Sequence, residues 1–78
     1  MKVTEQFIYS GRYACRLEDG RYMLCNGTME MLLCEKVEEG FKVIRSGIVG
    51  GIMMRTMEDF IWCVENWKES QVQGREQA

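Results

Sequence analysis

Apolar and polar residues alternate with a period of two along most of the chain, then switch to a helical period near its end. Lys2 to Tyr9, KVTEQFIY, has the β-branched and aromatic composition of a strand. Ser10-Gly11 interrupts it as a turn or a bulge. Arg12 to Glu18 then alternates, with Tyr13, Cys15 and Leu17 on one face and Arg12, Ala14, Arg16 and Glu18 on the other. Asp19-Gly20 is a two-residue hairpin signal, because a type I′ turn needs positive φ at both central positions. That register pairs Glu18 with Arg21, Leu17 with Tyr22 and Cys15 with Leu24. Arg21 to Cys25 is the returning strand. Asn26-Gly27 repeats the signal and sets Met29 opposite Leu24 and Met31 opposite Tyr22. One apolar face is therefore predicted, made of Cys15, Leu17, Tyr22, Leu24, Met29 and Met31.

Thr28 to Glu39 can be read two ways. Its composition has high helix propensity, with Thr28 as N-cap and Gly40 as C-cap. On a helical wheel, however, Glu30 and Lys36 intrude on any face that holds Met29, Leu33 and Val37. The strand reading follows from the preceding turn and is preferred. Glu38-Glu39-Gly40 fits a three-residue loop, and Phe41 to Ser46 alternates as the next strand. Gly47, Gly50 and Gly51 mark a sharp bend or a close backbone approach. Ile52 to Arg55 reads as a short final strand.

Thr56 to Glu69, TMEDFIWCVENWKE, is the clearest element. Thr56 is a natural N-cap, and Asp59 three residues later makes a weak capping box. Glu58 and Asp59 complement the positive helix end, with Lys68 near the other. Met57, Phe60, Ile61, Val64 and Trp67 form one apolar stripe. Trp62 points away from it, among Glu58, Glu65, Asn66 and Glu69. Such a tryptophan either lies flat on a neighbouring segment or anchors another chain, since Trp is enriched in interface hot spots. The polar stretch 70–78 lacks periodicity and is predicted to be disordered.

These elements imply an α+β fold: an antiparallel β-meander of about five strands packed on one C-terminal amphipathic helix, in two layers. Residues 1–69 would form the single domain. The sheet face away from the helix would carry Arg16, Arg21, Met23, Glu30, Leu32, Cys34 and Lys36. That mixed surface suits solvent or a dimer seam.

Composition narrows the function classes. The chain has 78 residues, 46% of them hydrophobic and 28% charged, which is globular rather than disordered. Its formal net charge of −2 argues against nonspecific nucleic-acid binding, which depends on Lys and Arg neutralising phosphates. Arginines interleave with Tyr9, Tyr13 and Tyr22, but Tyr13 and Tyr22 fall on the predicted core face rather than on a base-stacking platform. No apolar run approaches membrane-spanning length, and no signal-peptide pattern opens the sequence. The four cysteines, Cys15, Cys25, Cys34 and Cys63, lack Cys-x-x-Cys spacing, and histidine is absent. They are expected to be reduced, buried small hydrophobes in a cytoplasmic protein, with no metal site.

Catalytic chemistry finds little support. The commonest general acid–base is missing, and Cys63 lies mid-helix, where the dipole does not activate it. No Walker or Rossmann pattern is present, and no cofactor is expected. The leading expectation is a small non-catalytic protein-interaction module, homo-oligomeric and acting as an inhibitor or adaptor of a larger protein. By analogy, such modules are common among proteins of phages and other mobile elements. Trp62, Glu58, Glu65, Met23 and Leu32 are its candidate interface residues. The alternative is a binder of an anionic metabolite or nucleotide. Its site would lie between subunits or at Gly47, Gly50 and Gly51, with Arg45 and Arg55 as charge partners.

Overall fold

A computed structural model describes residues 1–49 and 52–67. The expectations for Gly50, Gly51, Lys68, Glu69 and the tail 70–78 lie outside the described residues. The chain forms β1 (Val3–Tyr9), β2 (Arg12–Leu17), β3 (Tyr22–Asn26), β4 (Glu30–Val37), β5 (Gly40–Ile48) and α1 (Met57–Glu65). The strands make one antiparallel sheet in the order β1-β2-β3-β4-β5, and the helix packs on β1 and β2. This is the α+β meander with one C-terminal helix. Thr28 to Glu39 supplies a strand, not a helix. Ile52–Arg55 is not a strand. Instead its Met54 N–H donates to the Thr28 carbonyl at 2.7 Å and the Met54 side chain is buried.

The turns differ from the sequence expectation, and the difference decides which side chains are inside. Ser10 (φ 52°) and Gly11 (φ 77°) both have positive φ, so this pair makes the two-residue turn of I′ character. Asp19 does not, and Glu18-Asp19-Gly20 forms a three-residue loop ending in left-handed Gly20. The Asp19 carboxylate accepts from the Arg21 backbone N–H at 3.0 Å and from its Nε at 2.8 Å, which fixes this shape. The predicted Glu18–Arg21 pair is replaced by Asp19–Arg21, and Glu18 faces Lys2 instead. Cys15 therefore pairs with Met23, not Leu24. Asn26 pairs with Glu30 across a second longer loop, so Cys25 lies opposite Met31, and Met29 is an exposed loop residue.

Each correction is an odd number of residues, and an odd slip exchanges the two faces of a strand. The first turns β3 over; the second restores β4. The face under the helix is thus Cys15, Leu17, Met23, Cys25, Met31 and Leu33, joined by Met54, Phe60, Cys63, Val64 and Trp67. Tyr22 and Leu24 belong to the opposite face. Met23, expected there, is fully buried beneath the helix.

The helix begins as expected. Thr56 is extended, and its Oγ1 accepts from the Asp59 N–H at 3.0 Å. Asp59 bonds back to the Arg55 N–H at 3.3 Å, so the box closes one residue outside the cap. The helix stops at Glu65, short of the predicted Glu69, because the Asn66 amide folds back onto the Trp62 carbonyl at 2.8 Å. Its buried face is Phe60, Cys63 and Val64, with Trp67 just beyond, while Met57 and Ile61 lie at the margin.

The sheet is strongly coiled. In a flat sheet the first and fifth strands would be about 19 Å apart, at 4.7–4.9 Å per neighbour. Yet the Tyr9 and Phe41 rings are 4.7 Å apart, edge to face. They come from diagonally opposite corners, the end of β1 and the start of β5. Right-handed twist lifts one diagonal of a sheet toward one face and the other diagonal toward the other. Accordingly Val3 and Val49, on the second diagonal, pack into the core beneath the helix.

Candidate functional site

Two surface features carry the expected site residues. The first is a flank of the helix. Residues 57, 58, 61, 62 and 65 follow one another around the side of α1 beyond its buried face, as 100° per residue requires. Met57, Glu58, Ile61, Trp62 and Glu65 line a groove there with Gln6 of β1 as the opposite wall. Its volume is about 370 Å³. Trp62 is 53% exposed, as its place on the helical wheel implies. Glu58 and Glu65 are its neighbours at i−4 and i+3 and give the groove an acidic rim. The apolar members Met57 and Ile61 are half-buried, so the groove joins the core to the surface. Of the expected interface residues, Trp62, Glu58 and Glu65 thus lie together on this flank.

Met23 and Leu32 do not join them. Met23 is fully buried under the helix, and a side chain with no exposed surface cannot meet a partner while the core is closed. Leu32 lies on the uncovered sheet face, half-buried opposite Leu24.

That uncovered face is the second feature. Ala14, Leu24 and Cys34 form its buried floor, and Phe7, Tyr22, Leu32 and Phe41 pack around them. Tyr22 meets Phe7 edge-on at 6.2 Å and Phe41 at 4.9 Å. The coiled corners leave a hollow of about 240 Å³, lined by Tyr9, Ser10, Arg12, Leu24, Leu32, Cys34, Phe41 and Val43. Lys36 sits 5.7 Å from the Phe41 ring centroid, a cation–π contact. The hydrophobic pattern does not reveal this hollow, because it depends on sheet coiling and on the corrected β3 face.

Of the glycine-centred alternative, Gly47 and Arg45 lie on β5 and Arg55 just precedes the helix. Gly47 is a regular β5 residue, buried opposite Met31. Arg45 pairs with Leu33 in the same ladder. Arg55 instead lines a different cleft of about 440 Å³ with Gly11, Arg12, Tyr13, Cys25, Gly27, Thr28 and Met54. Tyr13 closes one wall, stacking at 6.2 Å on Phe60 and donating its hydroxyl to the Arg55 carbonyl at 3.1 Å. Gly50 and Gly51 are outside the described residues.

All four cysteines are free and buried. Burial pushes the Cys15 thiol up to about 12 and the Cys34 thiol up to about 11, with Arg12 opposing the shift at Cys34. Burial also raises Cys63, helped by Asp59. Neutral, enclosed thiols act as small apolar side chains rather than nucleophiles. Among the described residues no three His, Cys, Asp or Glu side chains converge to hold a metal ion. No helix there is long and apolar enough to cross a membrane. No family model, curated protein or solved structure matches this chain.

Proposed function

We propose that this protein is a small non-catalytic interaction module that docks another chain on the helix flank around Trp62. The observation that carries the reading is a half-exposed tryptophan in a groove with apolar walls and an acidic rim. Holding a large indole in water forgoes the stabilisation its burial would give, on the order of 2 kcal/mol. A partner that covers it regains that term, which is why Trp so often anchors interfaces. Glu58 and Glu65 favour a partner with basic residues around its own apolar contact. The first partner to test is a second copy of the chain, offering a face other than its own acidic groove, and inhibition or adaptation of a larger protein is the role such a surface suits. The enclosed thiols and the absence of histidine support a binding role over catalysis.

The test is oligomeric state. Light scattering behind size-exclusion chromatography is expected to give an assembly larger than 9.1 kDa for the wild type. Trp62→Lys is expected to give the monomer with the same circular dichroism. In a Trp67→Phe background, Trp62 emission should shift to the blue as protein concentration rises. A wild type that stays monomeric, with Trp62 equally open to acrylamide at every concentration, would count against self-association.

A further inference from the structure

The hollow on the uncovered sheet face is built like a ligand site, and nothing in the helix-flank reading uses it. Three observations bear on its occupant. Its floor is closed and apolar: Ala14 and Cys34 have no exposed surface and Leu24 is 4% exposed. One wall is aromatic: Tyr9 from one corner of the sheet meets Phe41 from the diagonal corner edge to face, their ring centroids 4.7 Å apart. One cation stands on its lip. Arg12 begins β2 directly opposite Tyr9, and its guanidinium makes no ion pair among the described residues. Arg12 is exposed and lines the hollow on the same sheet face as Ala14, two residues along β2. Among the described residues no carboxylate lines the hollow.

We propose that this hollow binds a small organic carboxylate, its planar apolar body against the Tyr9–Phe41 pair and its carboxylate on Arg12. Small-molecule sites are commonly concave and apolar, with a few polar groups that fix orientation. The hollow of about 240 Å³ suits a single-ring or two-ring body. Rings offered both a face and an edge gain the quadrupole contacts that aromatic pairs prefer. The planar fork of arginine matches a carboxylate with two parallel hydrogen bonds. Leu32 and the exposed Val43 then supply the outer aliphatic wall, losing water on both sides as the ligand enters.

Benzoate, benzamide and inorganic phosphate separate the contributions. Each is titrated at millimolar concentration into the isotope-labelled full chain, followed by amide chemical shifts. Benzoate is expected to move the amides of Ala14, Leu24, Cys34 and Phe41, and benzamide to bind roughly tenfold more weakly, since a charge-assisted pair contributes about 1.5 kcal/mol or more. Arg12→Gln should weaken benzoate by the same factor while leaving benzamide unchanged. Phosphate should leave the floor amides in place. Benzoate without effect, benzoate and benzamide binding alike, or phosphate matching benzoate would each overturn the proposal. Trp62→Lys should leave benzoate binding intact, so failure here and failure of the helix-flank reading are distinguishable.

Discussion

Cys15, on β2 in the core beneath the helix, has no exposed surface, and its thiol is pushed up to about 12 by burial. Glu65 adds to that shift, while a hydrogen bond with the Met23 backbone and the amino terminus oppose it. Cys34, on the other face, is raised to about 11 for the same main reason. In the unfolded chain both would ionise near their ordinary value of 9.0. Above that value the unfolded state has released protons that the native state still holds, so rising pH favours unfolding. The contribution of these thiols is complete below about pH 9 and is lost as pH climbs through 11 to 12. Urea melts across this range should show midpoints that fall steadily above pH 9. The diagnostic comparison is the slope: Cys15→Ala should fall less steeply than the wild type. Identical slopes would mean that Cys15 ionises inside the fold. Single residues were also where the sequence spoke most clearly. Thr56 caps the helix and Trp62 faces outward, because both follow from helical geometry alone. Met23 was misplaced because its face depends on a neighbour's turn, not on its own surroundings in the sequence.

At the scale of elements, the corner contact between β1 and β5 makes a sharp demand on Gly40. Its φ of 145° lies in a region almost closed to other residues, and an added Cβ would come 2.8 Å from the Tyr9 hydroxyl. Gly40→Ala should therefore destabilise by about 1–3 kcal/mol through the backbone, with a further part arising from Tyr9. Tyr9→Phe removes the crowding atom. Across the four variants of a double-mutant cycle, Gly40→Ala should cost less in the Tyr9→Phe background, by roughly 0.5 kcal/mol or more. Strict additivity in urea unfolding would show that the two corners do not press on each other. The five strands of the sheet, their order and the helix were legible from period and turn composition, but the sixth strand expected at Ile52 to Arg55 does not form. Loop length was not. Asp-Gly and Asn-Gly mark where a hairpin turns, yet the Asp19 side chain clasps Arg21 and adds a residue to the loop. The β4–β5 pair is offset in a similar way: Val37 meets Gly40 directly, and a bulge at Ile44 between Leu33 and Cys34 absorbs the extra residue. Because each such step reverses a face, the hollow beside Tyr9 and Phe41 was out of reach of sequence pattern.

For the whole molecule, strand order equals chain order. Every strand pairs with its immediate predecessor across a short turn, so each ladder closes only a small loop. The helix is the exception: it returns from the far end of the chain to β1 and β2. This asymmetry sets a timetable. Ladders that close small loops can form early, and the long return of α1 comes afterwards. A change confined to the inner ladders, Leu24→Val, should then slow folding. Val64→Ala, on the docking face of the helix, should chiefly speed unfolding. Stopped-flow rates across a urea series would check this, and a slower folding arm for Val64→Ala would place the helix in the nucleus instead. Between the two stages Met23, Met31 and Leu33 lie bare on a paired but unlidded sheet. That interval is when the chain is most open to aggregation. How long it lasts is set by how quickly the Thr56 cap lets the last element form and settle.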